Sequence, residues 1–394
     1  MAGTGRDAVV VGGGIAGLAA ACALLRQGWN VTVLEQARRF AEVGAGLALT
    51  SNGLSALSSL GLDAPARGAG HPVQMEGTQD HRGRWLVRIP SGSVRRPPPT
   101  AYGIHRKELH RLLLASAQGA TLLPGARMVG IDPGRPDGPR AVVFRTSDKG
   151  DLTLDADLVV GADGLRSACR QQLAPATAPR YSGKSAWRGV VRGFPAAANG
   201  FAVRWGPGAE FGALRIGAGS VYWYGYTFSE EGQRWADEKD AAMEHFAGWA
   251  EPVLSLIEAT APPAILRHDV YALAPALATY VYGRAVLIGD AAHAMVPTLG
   301  QGANSSLEDG ACVGLLIARA VNQGGSLAAA LGSYDAQRRP RTQRIARRSA
   351  AAGRLGADLR APAGVAARNV LLRLLPGGLA ARAGSSVLAW RAPA

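Results

Sequence analysis

Two glycine-rich stretches carry the residues most able to do chemistry in this chain. In GRAVLIGDAAHAMVPTLGQGANSSLED (residues 283–309), a short apolar strand from Ala285 to Ile288 is predicted to run into Gly289-Asp290. A Pro- and Gly-rich turn follows, and a helix opens at Gln301-Gly302-Ala303-Asn304. An acid at a strand end can accept from hydroxyls, and a glycine-lined helix N-terminus offers free N–H groups to an anion. That pairing suits a polyhydroxylated cofactor that bears phosphate. Gly12-Gly13-Gly14-Ile15-Ala16-Gly17, near the other end of the sequence, is a second such place. It reads GxGxxG between a predicted strand (Ala8 to Val11) and a predicted helix (Ile15 to Gln27). Gly12 permits the tight turn, Gly14 lets backbone approach a pyrophosphate, and Gly17 lets helix and strand pack closely. Glu35 ends the next predicted strand (Val31 to Glu35), where an acid binds the ribose 2′-hydroxyl of an adenine dinucleotide. Like-charge repulsion from Glu35 argues against a 2′-phosphate there.

Further polar residues leave two readings open. Asp163-Gly164 follows the apolar strand Leu158 to Gly161 in DLVVGADGLRSACR. It reads as a strand-end turn or as part of a cofactor site. Arg106, in YGIHRKELHRLL, precedes a helix predicted over Lys107 to Gln118. Its guanidinium could bridge a phosphate or an acid, or simply face solvent.

The elements that must position these residues form a compact βαβ unit with Gly28 as its helix stop. Residues 66–100, ending in RRPPP, read as an excursion from that lobe. From about 181 to 266 the texture becomes β-rich, with SAWRGVVRG, FAVRWG, AEFGALRIG and SVYWYGYTF separated by Gly turns. A helix is expected over Asp237 to Ile257, and the first lobe resumes at about Arg267. After Tyr334 the sequence is Arg-, Ala- and Leu-rich with helical periodicity, broken at Pro340, Pro362 and Pro376. An amphipathic helix packed on the body accounts for that tail more simply than one lying on a membrane.

A formal charge of +14 raises the question of nucleic acid. Lysine occurs only at positions 107, 149, 184 and 239, and no basic block interleaves with aromatics, so no nucleic-acid partner is expected. A mild attraction for anionic ligands is. No apolar run approaches the ~20 residues needed to span a bilayer. The first residues lack the apolar core of a signal peptide, so a cytoplasmic location is expected. Cys22, Cys169 and Cys312 show no metal or redox spacing. They fit a reducing compartment, and no metal site is expected.

Taken in order, GGGIAG with Glu35, then Arg106, then GADGLRS, then GDAAHAMVPTLGQGAN resemble the FAD-dependent aromatic hydroxylases typified by para-hydroxybenzoate hydroxylase. SAWRGVV and FAGWAEPV are most similar to the branch holding salicylate, hydroxynicotinate and urate hydroxylases and zeaxanthin epoxidase. The resemblance spans nearly the whole chain. It implies an α/β fold, with a Rossmann-like FAD-binding lobe (1–70, 101–180 and 267–340) and an inserted β-sheet-based substrate lobe (71–100 and 181–266). A C-terminal helical segment (341–394) completes it.

Carried over, the resemblance puts Gly12, Gly14, Ala16 and Gly17 at the FAD pyrophosphate and Glu35 with Gln36 at the adenosine ribose. Arg106 would reach the ribityl–phosphate region, and Asp163 the place where flavin and nicotinamide phosphates approach. Asp290 would bind ribityl and phosphate groups, and Pro297 would lie by the isoalloxazine. Gly300, Gln301, Gly302, Ala303 and Asn304 would offer backbone N–H groups to the flavin pyrimidine. Val43 to Gly46, with Gly44 and Ala45, matches the family's flavin-side loop, and Met128 completes the FAD set. Asn52 is kept, although Ser51 stands where proline is usual.

The resemblance further implies that NAD(P)H docks transiently, since there is no second GxGxxG unit. Oxygen would add at flavin C4a, and the resulting hydroperoxide would hydroxylate an aromatic or heteroaromatic molecule. Epoxidation or Baeyer–Villiger chemistry on a polycyclic or isoprenoid substrate is the alternative, and a non-catalytic flavin-binding protein a further one. A monomer or a homodimer is expected.

Substrate contacts are less marked. Tyr222, Tyr224, Tyr226 and Phe228 share one strand face by alternation; they line an aromatic pocket or pack between sheet and helix. Arg215 and Arg188 are candidates for an anionic substrate group. Glu210 stands where urate-hydroxylating relatives use arginine, which counts against urate. His105 and the tyrosines, Tyr222 first, are candidates for a proton acceptor, while His293 reads as part of the cofactor scaffold.

Overall fold

The computed structural model describes residues 5–41, 44–89, 100–195, 200–217, 219–378 and 386–393. The expected βαβ unit is strand Asp7–Val11, helix Ile15–Arg26 and strand Asn30–Glu35. These strands belong to a six-stranded sheet whose order is Val281–Tyr282, Ala285–Leu287, Leu158–Gly161, Asp7–Val11, Asn30–Glu35, Thr121–Pro124. All neighbours are parallel except Val281–Tyr282. Parallel strands are covered on both faces, which explains continuous apolar runs such as AVVV and LVVG. Val10, Val33, Val160 and Val286 are fully buried. An antiparallel meander of Arg127–Asp132, Ala141–Thr146 and Leu152–Ala156 packs beside this sheet.

The β-rich insert is a nine-stranded sheet. Its path runs Leu266–Ala274, Ala178–Arg192, Ser220–Phe228, Ala209–Arg215, Gly200–Trp205, His71–Asp80, Thr100–His105, Gly46–Leu49, with Trp85–Arg88 paired to His71–Asp80. The excursion after residue 66 therefore supplies strands to the insert, while its RRPPP end (95–99) lies outside the described residues. The sheet also extends beyond the expected limits of 71–100 and 181–266. Leu266–Ala274 pairs with Ala178–Arg192, and Gly46–Leu49 with Thr100–His105. Long-range pairing sets these limits, and composition does not reveal it.

Alternation splits the sheet into two faces. Trp187, Phe211 and Trp223 pack with Phe246, Val253 and Leu256 of a helical cover. Leu214, Ile216 and Tyr222 form a separate cluster with Ala45 and Val73 on the other face. The helix expected over Asp237 to Ile257 is in fact two, Glu238–His245 and Val253–Glu258, with Pro252 preceding the second. A proline there cannot supply an interior helical N–H.

A break expected at Pro340 does not occur, because helix Leu327–Leu355 runs through it. Proline removes the bond to the carbonyl four residues back. Arg338 and Arg341 flank Pro340 and both bind buried Glu308, holding the turns on either side. The next helix, Pro362–Leu374, begins at a proline, whose missing N–H costs nothing in a first turn.

Candidate functional site

The glycine loop closes as its spacing requires. Gly12 has φ +107°, which side chains rarely adopt, and a Cβ on Gly17 would overlap the Gly12 carbonyl oxygen. Helix Ile15–Arg26 then starts at Gly14 with no described side chain capping it. The Glu35 carboxylate accepts from Gly13 N at 2.9 Å and Ala37 N at 2.7 Å, which fixes it beside the loop with lone pairs to spare. His110 Nε2 bonds Gly13 O at 2.8 Å from behind.

The distant stretch comes to the same place. Gly300 takes the left-handed conformation that ends the Pro297–Leu299 turn, and helix Gly302–Cys312 opens after Gln301, again with no described side-chain cap. A Cβ on Gly310 would lie 2.6 Å from Ala19 Cβ, and one on Gly314 2.7 Å from Ala23 Cβ. The contacts ascend together in both segments, so the two helices run parallel, nearly touching. The same register sets Gly302 about one turn, roughly 6 Å, ahead of Ile15. Two uncapped positive helix ends thus point the same way, one advanced beyond the other. A Cβ on Gly302 would meet nothing within 4 Å. An extended dinucleotide fits this donor set: pyrophosphate at Gly14, an electron-rich ring at Gly302.

A buried polar lattice that sequence reasoning missed holds the second end. Asn52 donates to Gln301 Oε1 at 2.9 Å and Glu308 Oε1 at 2.6 Å. The Asn304 side chain accepts from Thr50 N at 3.0 Å and donates to Ala48 O at 3.0 Å, so only its backbone is left to face a ligand. Arg338 binds Glu308 at 2.6 Å and Asp309 at 2.8 Å, and His293 Nε2 meets Asp309 at 2.5 Å. Burial pushes the Asp309 carboxyl up, but His293 and Arg338 outweigh it and hold it at about 2. His293 is thereby scaffold. Two adjacent acids inside an apolar helix were the available signal; their arginine partners were not legible.

Other predicted residues have visible work. Asp163 accepts from Ser167 Oγ at 2.5 Å and Cys169 N at 3.0 Å, which engages both its oxygens within its own turn. Arg170, also missed, ties that turn to the strand end, donating to Leu165 O at 2.6 Å and Ala291 O at 3.1 Å. Asp290 is exposed at the start of helix Asp290–His293, and Gln36 is exposed beside Glu35. Met128 is buried in the core of the first lobe. Arg106 N donates to Ala45 O at 3.0 Å, and the Arg106 side chain lies against Gly44. Val43 is outside the described residues. A groove of about 680 Å³ passes Phe40, Gly44, Ala45, His105, His110 and Gly189. His105 caps helix Arg106–Ser116 by accepting from Lys107 N at 3.2 Å. Burial, then Lys107, lowers its pKa.

Strand register sorts the substrate candidates. Val190, Tyr222 and Leu214 stand in one cross-strand row, Arg188, Tyr224 and Gly212 in the next, and Ala186, Tyr226 and Glu210 in a third. This is the face away from the helical cover, so the tyrosines do not pack against those helices. Their rings run in series, Tyr222 to Tyr224 at 6.0 Å and Tyr224 to Tyr226 at 5.0 Å. Tyr226, then Tyr222, raises the Arg188 pKa against burial. Arg215 falls on the other side: its cross-strand partner Val221 belongs to the helix-covered core. Pro297 and Thr298 border a small cavity, about 20 Å³, with Glu210, Tyr226, Lys184 and Asp358. The Pro297–Thr298 turn and the tyrosine face thus approach each other.

The parallel sheet, glycine loop and paired helix ends define an FAD-binding fold that carries a second, nine-stranded sheet. Residues 6–349 match the FAD binding domain family, and the chain belongs to it. It is 36% identical over 359 residues to aurachin C monooxygenase/isomerase of Stigmatella aurantiaca, covering 90% of each chain. It is 34% identical over 380 residues to 2-heptyl-3-hydroxy-4(1H)-quinolone synthase of Pseudomonas aeruginosa, covering 93% of this chain and 94% of that one. Among solved structures, HpxO of Klebsiella pneumoniae complexed with FAD and uric acid superposes with a TM-score of 0.84 at 25% identity. That match covers 97% of this chain and 96% of that one. The protein is an FAD-dependent monooxygenase of the aromatic hydroxylase family. No described helix is long and apolar enough to cross a membrane.

Proposed function

We propose that the enzyme consumes NAD(P)H and O2 to hydroxylate a ring carbon of an N-heteroaromatic molecule of the 4(1H)-quinolone type. The observation that carries this reading is the tyrosine face with Arg188, set across from the Pro297–Thr298 turn. Similarity to 2-heptyl-3-hydroxy-4(1H)-quinolone synthase, a relative named for a heteroaromatic product, supports the substrate class. FAD, when bound, supplies electron transfer from the nicotinamide and activation of oxygen.

The chain's own residues do the rest. Gly12, Gly14, Ala16 and Gly17 seat the pyrophosphate, and Glu35 accepts from the ribose, with Gln36 and Met128 toward the adenosine end. Arg106, Asp163 and Asp290 flank the ribityl–phosphate region. Gly44, Ala45 and Pro297 border the ring. N–H groups from Gln301 to Asn304 lie at a positive helix end, which favours negative charge on the ring without reorganisation, while the Gly300 N–H is spent on Pro297 O at 2.7 Å. The nine-stranded sheet excludes water from the reacting face. Arg188, Tyr222 and Tyr224 hold the substrate. Buried, unpaired cysteines suit the cytoplasm as its setting, as monomer or homodimer.

The test is a screen of 4-quinolones and hydroxylated pyridines for stimulated NAD(P)H consumption under labelled O2. One labelled oxygen in the product supports the reading. Stimulated consumption that yields only hydrogen peroxide with every compound contradicts it.

A further inference from the structure

Glu210 is a carboxyl on the tyrosine face, bonded to the Tyr224 hydroxyl, and its partners are unusual. It is 3% exposed. The Tyr224 hydroxyl donates to Oε1 at 3.1 Å and Trp205 Nε1 to Oε2 at 3.1 Å. Both donors are neutral. The nearby cation, Lys184, is paired with Asp358. A carboxylate buried with only neutral donors is costly unless it takes a proton. Burial accordingly pushes Glu210 up to about 7, against the Tyr224 and Trp205 hydrogen bonds and the Lys184 charge, with Asp358 adding to the rise. The titratable and charged groups facing it are Tyr224 and Tyr226 from the neighbouring strand, Lys184 from the strand beyond and Asp358 from the loop after the long helix. A glutamine would tie Tyr224 to Trp205 equally well without an ionisable group.

We propose that Tyr224 and Glu210 together accept the ring N–H proton of the heteroaromatic substrate. This rests on the substrate class proposed above. The substrate N–H bond breaks and its electron pair stays on the ring. The proton bonds to the Tyr224 phenolic oxygen while that oxygen's own proton passes to Glu210 Oε1. The products are a substrate anion, a neutral tyrosine and a carboxylic acid, so one negative charge moves from Glu210 to the substrate. Arg188 stands directly across from Tyr224 in the adjoining strand and is placed to receive that charge. The anion's ring carbons are richer in electrons and accept an electrophilic oxygen more readily. Tyr224 touches the substrate; Glu210 acts through it.

The experiment uses oxidised, FAD-loaded wild-type protein, Glu210→Gln, Glu210→Asp and Tyr224→Phe. The probe is 2-heptyl-4(1H)-quinolone, titrated without reductant while the ultraviolet spectrum of the bound ligand reports its ionisation. In the wild type the anion fraction rises through neutral pH. In Glu210→Gln and Tyr224→Phe the bound ligand stays neutral, and product formation falls by about 10²-fold, within the range for general acid–base catalysis. KM changes far less. Glu210→Asp restores part of the anion signal. The flavin spectrum of each variant certifies its fold. An unchanged anion fraction in both Glu210→Gln and Tyr224→Phe overturns the proposal and leaves the substrate class standing. Failure of wild type to bind the probe or any 4(1H)-quinolone overturns the substrate class itself.

Discussion

Gly310 packs on Ala19 so closely that a Cβ on the glycine would sit 2.6 Å from the alanine's own. This contact sets helix Ile15–Arg26 and helix Gly302–Cys312 side by side with their N-termini facing one way. It brings two glycine-rich stretches far apart in the sequence side by side. Gly310→Val is therefore expected to force the helices apart and lose bound flavin. Gly302→Ala meets no neighbour within 4 Å. It should keep the fold by circular dichroism yet weaken FAD binding, because its methyl group would fill the open space proposed for the ring. Flavin absorbance per chain after purification checks both. Full flavin in Gly310→Val would show that the helix contact does not build the site.

Arg338 joins Glu308 and Asp309, and all three are almost wholly buried. Removing one partner of a buried ion pair typically costs about 3–5 kcal/mol, since the other charge stays behind. Arg338→Met should lower the unfolding midpoint in urea accordingly. Arg339→Met removes a partly exposed pair with Asp335 and should cost under about 1 kcal/mol.

Arg215 is the stronger substrate candidate in the sequence and Arg188 the weaker, but strand register puts them on opposite faces. Arg188→Ala is expected to reduce kcat/KM by at least about tenfold, or 1.4 kcal/mol. Arg215→Ala should leave it within about twofold. Steady-state kinetics on the same substrate compare them directly, and the reverse ranking would place the substrate elsewhere.

How much of this was legible follows from the kind of signal each feature leaves. Gly12 to Gly17 and Glu35 announced themselves because local backbone geometry demands glycine at fixed offsets. The strand runs AVVV and LVVG did so through continuous hydrophobicity. Arg338 with Glu308, and Asn52 with Gln301, left no local trace, because their meaning lies in contacts between distant segments. The same holds for Leu266–Ala274, whose pairing moved the edge of the sheet past the expected boundary. Pro340 misled because its penalty is local, while the ion pairs offsetting it are not. Alternation put Tyr222, Tyr224 and Tyr226 on one face, but only the position of the helical cover decided which face that was.

Glu210 gives a pH signature in stability. Its folded pKa of about 7 lies above its ordinary value of 4.5. The folded state therefore holds the extra proton between those values, and stability falls as pH rises through about 7. From pH ~5 to pH ~8 the wild type should lose about 1–3 kcal/mol that Glu210→Gln does not lose. Urea denaturation of both proteins at the two pH values measures the difference, and parallel curves would contradict it.

The central claim is that one dinucleotide spans both helix ends, adenosine at Glu35 and flavin at Gly302. Calorimetric titration of the apoprotein with FAD, FMN and AMP tests it most directly. The account predicts one FAD per chain, bound at least about 10²-fold more tightly than FMN or AMP, because FMN forgoes the adenosine contacts at Glu35 and AMP the ring contacts at Gly302. FMN binding as tightly as FAD would show that Glu35 does not hold the adenosine.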